Sequence, residues 1–260
     1  MAFDSSAFLH YFIRNPVAKK KKASSNKDIS SLIEPLNKNQ TILMNALRTS
    51  EMVISSGPAG VGKTFLVASM AALMLQNKAV KRIILTRPVI PTGRSIGYFP
   101  GDLMEKMAPW VVPFMEVFKK HMDQGELDCA IKNGNIEIVP FETMRGRSFD
   151  DSFIILDEAQ NTTTHEMKMF LTRTGQYSKT VVLGDVQQSD LHWLENGQET
   201  GLDIAIRLAK NVVNIPVVEF TSDDIVRSGL CKDWVKAFES EYRQAKPEGE
   251  DSLPDFLYKT

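Results

Sequence analysis

Six short apolar runs punctuate the chain near residues 51, 82, 135, 152, 179 and 216, and longer stretches of helix-forming residues separate them. Runs of this length, bounded by turn residues and rich in β-branched side chains, predict buried strands, and strands that alternate with helices predict a parallel sheet covered by helices. The expected fold class is α/β, a mainly parallel sheet flanked by helices. A chain of 260 residues has room for one large domain or two small ones. The unbroken alternation favours one core, large enough to be stable without staples. The longest helix-like apolar run, Phe65 to Leu75, is far too short to span a bilayer.

Both ends depart from this pattern. Residues 14 to 31 carry Asn15-Pro16, the lysines Lys19 to Lys22 and Ser24-Ser25-Asn26, too polar to bury and expected to form a flexible basic linker. Before it, Phe3, Phe8, Leu9, Tyr11, Phe12 and Ile13 are apolar, and Ser5 or Ser6 could cap a short helix. Such a helix is marginal in water and needs a surface to dock on. No apolar stretch of signal-peptide length follows a positive start. Lys246 to Thr260 is acidic and ends Leu253-Pro254-Asp255-Phe256-Leu257-Tyr258-Lys259-Thr260, a tail with a small apolar anchor. The expected organisation is an apolar segment and linker over 1–31, a folded domain over 32–243 and a flexible acidic tail over 244–260.

After the first strand-like run, Met52-Val53-Ile54, comes Gly57-Pro58-Ala59-Gly60-Val61-Gly62-Lys63-Thr64, the pattern G-x-x-x-x-G-K-[ST], followed by a helix-like run from Phe65. Strand, glycine-rich loop and helix in that order form a nucleotide phosphate-binding loop. Glycines let backbone N–H groups curl toward an anion, and the helix presents its positive end to the same phosphates. Lys63 supplies a point charge for the β- and γ-phosphates, and Thr64 a hydroxyl ligand for Mg2+.

Hydrolysis needs more than a cradle. Phe153-Ile154-Ile155-Leu156 runs into Asp157-Glu158, delivering two carboxylates to the C-terminal end of a buried strand, where open α/β sheets bind ligands. Asp157 is the expected Mg2+ partner, and Glu158 the group to orient or deprotonate the attacking water. A further run, Thr180-Val181-Val182-Leu183, ends in Gly184-Asp185-Val186-Gln187-Gln188, whose amides can hydrogen-bond a γ-phosphate or the water.

Together with Gln40, Leu85-Thr86-Arg87-Pro88, Arg145-Gly146-Arg147-Ser148-Phe149 and Ile155-Leu156-Asp157-Glu158-Ala159-Gln160-Asn161, these segments resemble the PhoH-like ATPase family from about residue 37 to 243. That family is similar to the first RecA-like domain of superfamily 1 helicases. The resemblance implies a single RecA-like P-loop NTPase domain that hydrolyses ATP with Mg2+ in association with single-stranded RNA or DNA, with helicase or translocase activity as one form of that coupling. It implies that Gln40 reads the adenine edge and that Gln188 contacts the γ-phosphate, and it points toward a homohexameric ring.

Charge limits how nucleic acid could be held. Lys and Arg number 31 against 32 Asp and Glu, for a net charge of −1, which excludes a polycationic surface and leaves local contacts. Lys81, Arg82, Arg87 and Arg94 cluster in sequence around the second strand, Arg145 and Arg147 follow the third, and Tyr98 and Phe99 lie between Gly93 and Gly101. Basic groups with aromatic faces can grip single strands by phosphate contact and stacking; the alternative is that both rings pack beneath their loop. Two cysteines, Cys129 and Cys231, have no metal-binding spacing and read as reduced thiols of a cytoplasmic protein without membrane contact.

A single RecA-like domain leaves its γ-phosphate open on one side, where hydrolysis usually wants an arginine. The chain is too short for a second such domain, so a homo-oligomer is expected, in which Arg227 completes a neighbour's site and Arg87 or Arg147 stand next in line. Two other functions use the same parts: an ATP-gated interaction scaffold, and a small-molecule kinase of the phosphate-loop class.

Overall fold

A computed structural model describes residues 33–88, 103–191 and 198–245. The N-terminal segment and linker, the tail from 246 and the loop carrying Arg94, Tyr98 and Phe99 lie outside the described residues. The six strands are β1 (Met52–Ser56), β2 (Arg82–Thr86), β3 (Ile136–Ile138), β4 (Ser152–Leu156), β5 (Lys179–Gly184) and β6 (Val217–Glu219). Between and around them lie α1 (Lys38–Thr49), α2 (Lys63–Gln76), α3 (Leu103–His121), α4 (Gln124–Lys132), α5 (Thr164–Leu171), α6 (Gly201–Leu208) and α7 (Gly229–Ala245). Every apolar run forms the strand expected of it, and α7 continues to Ala245, past the expected boundary at 243.

All strand pairs are parallel, in the order β3-β2-β4-β5-β1-β6. Because successive side chains point to opposite faces, each central strand feeds two cores in turn. Val53, Ile83, Leu85, Phe153, Ile155, Val181 and Leu183 pack on the face covered by α1 to α4. Ile54, Ile84, Ile154, Leu156 and Val182 pack on the other, against Phe141, Phe149, α5 and α6. Burial on both faces is why these strands read as continuous apolar runs.

Helix α2 is apolar on almost every side, and Leu66 through Leu73 are all buried. It is the innermost helix, touching α1, α3, β2 and β5. Its amphipathic neighbours have sharply marked starts. Asn37 caps α1, and Asp123, Thr163 and Thr200 begin α4, α5 and α6 with capping boxes that satisfy two otherwise orphaned N–H groups each. No helix among the described residues is long and apolar enough to cross a membrane.

Phe153, fully buried at the centre of the sheet, tests the packing. Phe153→Ala should lower the unfolding free energy by about 3–5 kcal/mol, read as a lower urea midpoint at unchanged slope. A loss well under 1 kcal/mol would mean that the sheet relaxes to fill the space.

Candidate nucleotide site

The order of the strands assembles the site. β4, β5 and β1 are adjacent, so the turns that follow them lie side by side at the C-terminal edge of the sheet. β1 opens into the glycine-rich loop, and the pairing continues beyond it, with Gly57 N–H donating to the Gly184 carbonyl at 3.1 Å. Asp157 N–H likewise donates to the Thr86 carbonyl at 3.0 Å, fixing the first carboxylate against the mouth of β2. Three segments separated along the chain thus share one concave edge.

The loop from Gly57 to Gly62, with Pro58, Ala59, Gly60 and Val61 between, curls from β1 into α2. At Gly57, φ is +140°, and a Cβ there would stand 2.6 Å from both Cβ and the carbonyl oxygen of Phe220, so only glycine fits. Helix α2 departs from the capping of α1, α4, α5 and α6: Gly62 takes the N-cap position in a left-handed conformation and offers no side-chain cap. Its first N–H groups therefore remain presented to an anion at the positive end of the helix. Lys63 turns its Nζ back onto the loop, donating to the carbonyls of Gly57 and, at 3.0 Å, of Pro58. Burial lowers the pKa of this ammonium, opposed by the nearby charges of Asp185, Asp157 and Glu158.

Gln40 is only 3% exposed and braces the loop. Its Nε2 donates to the Val61 carbonyl at 2.9 Å, and its Oε1 accepts from Leu36 N–H at 2.7 Å. Both ends of the amide that the resemblance assigns to the adenine edge are engaged within the chain.

Asp157 and Glu158 follow β4 directly. Glu158 adopts a left-handed backbone, φ +53°, uncommon for a residue with a side chain, and leads into a single 3-10 turn over Ala159–Asn161. Its Oε2 accepts from Gln160 Nε2 at 2.6 Å. Asp157 faces a small apolar recess with Thr86, Arg87, Trp110 and Phe114, where the Arg87 guanidinium lies 4.9 Å from the centroid of the Trp110 ring. Burial, and secondarily the charge of Glu158, pushes the Asp157 carboxyl up to about 6, while Arg87, the Glu158 backbone N–H and Lys63 pull it down. Thr86 Oγ1 lines the same recess, buried without a hydrogen-bond partner among the described residues.

These groups suit a magnesium-bound nucleotide. Thr64, in the first turn of α2, and Asp157 are hard oxygen donors from neighbouring segments, and no group of three or more His, Cys, Asp or Glu converges among the described residues. Mg2+ is commonly held by one or two protein oxygens together with substrate phosphates, as such a sparse donor set requires.

Gln188 is exposed on the turn after β5, where its N–H closes onto the Asp185 carbonyl at 3.1 Å and Gln187 N–H meets Asp185 Oδ1 at 3.0 Å. Arg227 lies beyond β6 and folds back over the loop of its own chain. Val226 N–H donates to the Gly60 carbonyl at 3.1 Å, and a Cβ built on Gly60 would come within 3.0 Å of Arg227 Cδ. The residue expected to reach a neighbouring subunit thus already touches its own phosphate loop.

The other basic residues disperse. Lys81 and Arg82 sit at the N-terminal end of β2, bonded to Asp151 and to the Asp150 carbonyl, whereas Arg87 follows its C-terminal end. An extended strand of five residues holds these ends roughly 16 Å apart, so a cluster in sequence becomes two separate places in space. Arg147 pairs with Glu137 at 2.7 Å and covers the Phe149 ring beside β3, at the sheet edge remote from β1. Arg145 is exposed near it.

The profile of the PhoH family, described as PhoH-like protein, matches residues 32–239. The chain belongs to the PhoH family. It is 43% identical over 206 residues to a PhoH-like protein of Mycobacterium tuberculosis, covering 79% of this chain and 58% of that one. A PhoH-like protein of Bacillus subtilis is 40% identical over 75% of this chain and 60% of its own length, and Protein PhoH of Escherichia coli 37% identical over 83% and 60%. The chain therefore spans about three fifths of these relatives. The helicase domain of Pyrococcus furiosus Hef overlaps 70% of this chain and 37% of that chain, at 13% identity and a TM-score of 0.42. Within this PhoH-family domain, sequence reading located the loop, both carboxylates and the turn after β5. It gave no separate role to Gln160, although the residue lies inside the quoted segment.

The raised Asp157 value sets a pH dependence. Between about pH 4 and pH 6 the folded protein holds a proton that the unfolded chain has released, so this group's contribution to stability falls as pH rises through that window. Without Mg2+, Asp157→Asn should gain stability relative to the parent protein on going from pH 4 to 7 in urea unfolding. Parallel pH profiles would contradict the burial of that charge.

Proposed function

We propose that this chain is a Mg2+-dependent ATPase that couples hydrolysis to binding of single-stranded RNA or DNA. The observation that supports it best is the convergence of the glycine-rich loop, Asp157-Glu158 and the Gln188 turn on three adjacent strand ends. In this proposal the loop amides and Lys63 hold the phosphates, and Thr64 and Asp157 hold Mg2+, which offsets charge on the phosphoryl oxygens. Glu158 orients the water, Gln188 contacts the γ-phosphate, and Arg227 steadies charge developing on it. Gln40 shapes the loop and, by the resemblance, the adenine side.

Arg227 against Gly60 favours an arginine acting within its own subunit. Homo-oligomerisation, with a hexamer favoured, is then supported by the family resemblance rather than by any need for a borrowed arginine. Free thiols at Cys129 and Cys231 agree with a reducing, cytoplasmic setting. Arg87, at the same edge as the nucleotide groups, is the basic residue through which nucleic acid could best influence the site.

A second function, an ATP-gated scaffold, draws on one feature. Leu230, Trp234 and Phe238, 69%, 59% and 58% exposed, share one face of α7, the helix that follows Arg227. A scaffold would work with ATP bound and unhydrolysed, so Glu158→Gln would leave it active.

Phosphate release with and without single-stranded RNA, single-stranded DNA and duplexes tests the ATPase proposal. Glu158→Gln should bind ATP normally and lose at least about a hundredfold in kcat, while Lys63→Ala weakens binding itself. Unchanged turnover in Glu158→Gln would remove the assigned water-orienting group. Mixing Arg227→Ala with Glu158→Gln should restore no activity if the arginine acts in its own subunit; recovery on mixing would place it in trans. Nucleic-acid affinity should fall steeply with salt, and Arg87→Ala should reduce the log–log salt slope by about one. A salt-independent affinity would exclude phosphate contacts.

A further inference from the structure

Gln160 is 2% exposed, and each end of its side chain is directed at a different part of the site. Nε2 donates to Glu158 Oε2 at 2.6 Å, and Oε1 accepts the backbone N–H of Asp185 at 3.0 Å. The first bond holds the carboxylate that follows β4. The second holds the first residue of the turn that carries Gln188.

Neighbouring bonds reinforce the junction. Ser189 Oγ donates to the Gln160 carbonyl at 3.1 Å, Asp190 N–H to Asn161 Oδ1 at 2.8 Å, and Asn161 Nδ2 to Asp190 Oδ2 at 3.4 Å. Gly184 admits this contact. A Cβ there would stand 2.8 Å from Gln160 Oε1 and 2.6 Å from Leu202 Cδ2, so the amide comes close only because that atom is missing.

The chemistry calls for an amide rather than any polar group of this size. A carboxylate at 160 could still accept from Asp185 N–H but would oppose Glu158 with like charge, and an apolar side chain would offer neither the donor to the half-buried Glu158 nor the acceptor to the buried Asp185 N–H. Only a side chain with a donor at one end and an acceptor at the other serves both. Holding Oε2 of Glu158 restricts the directions in which Oε1 can point.

We infer that Gln160 is a positioning residue that ties the carboxylate of Glu158 to the turn carrying Gln188, so that the group facing the water and the group facing the γ-phosphate move as one unit. The inference rests on the ATPase proposal for what the unit does, while the link itself can be tested without turnover. Only a small displacement of either partner is needed for an effect, because positioning of a water against a phosphorus is sensitive to fractions of an ångström.

The test uses the full chain and two substitutions. Gln160→Glu keeps the shape and the acceptor for Asp185 N–H but loses the donor to Glu158. Gln160→Met loses both. With Gln160→Glu, kcat for ATP should fall by at least about tenfold while the Kd of a non-hydrolysable ATP analogue stays within about twofold. Placed in the Glu158→Gln protein, the same change should cost nothing further, since Gln160 acts through Glu158. In nucleotide-free protein, hydrogen exchange over residues 184–191 should speed up in Gln160→Met and remain near the parent rate in Gln160→Glu. Unchanged exchange in Gln160→Met overturns the link. Normal kcat in Gln160→Glu, or losses that multiply in the double variant, overturn the positioning role. If the parent protein hydrolyses no ATP, the ATPase proposal fails, and the exchange result still decides whether Gln160 joins the two segments.

Discussion

Two strands that pair in parallel end on the same side, and β4, β5 and β1 are joined under that requirement along most of their length. Register does the rest. Ser56 stands opposite Gly184 and Leu156 opposite Val182, so the residues that leave these strands emerge within a residue or two of a common line. A slip of one position between β4 and β5 would turn Ile155 and Leu156 toward the wrong cores and carry Asp157 away from the loop together. Apolar packing on the two faces and placement of the polar edge are therefore enforced by the same hydrogen-bond ladder.

That edge holds an uneasy balance of charge. Lys63 answers the carbonyls of its own loop while Asp157, Asp185 and Glu158 draw on it from the neighbouring strand ends. Arg87 offsets part of the upward shift at Asp157, yet its guanidinium is also engaged over an indole. A divalent cation brought in with phosphates would change both sides at once, lowering the cost of ionising Asp157 and giving Lys63 a better acceptor than a carbonyl.

Much of this could be read from residue order, and the exceptions have physical causes. Strands buried on both faces announce themselves as apolar runs, so Phe153 to Leu156 and Thr180 to Leu183 were legible, and the loop was legible because few other arrangements need glycines beside Lys63-Thr64. Lys81, Arg82 and Arg87 misled because nearness in sequence says nothing about which end of a strand a residue occupies. Arg227 was expected to look outward; its contact with Gly60 depends on how the chain turns back after β6, which no local pattern encodes. Gln160 escaped notice because its importance lies in a rotamer and in the strand that runs beside it, and a glutamine within a motif carries neither. At the far end, α7 runs up to Ala245, directly before the change of composition at Lys246.

Phe220 occupies the space that a methyl group on Gly57 would need, and this bears on which inactive protein can serve as a control. Phe220 N–H donates to the Ser56 carbonyl at 2.8 Å, so the Cβ and carbonyl group that crowd Gly57 belong to a residue itself held to β1. Alanine at 57 would push that segment off the sheet edge and disturb the chain leading to Arg227. A phenotype from such an allele would report damaged architecture as much as lost ligand, and a genetic experiment that treated it as a clean nucleotide-free state would assign to ATP what belongs to the fold.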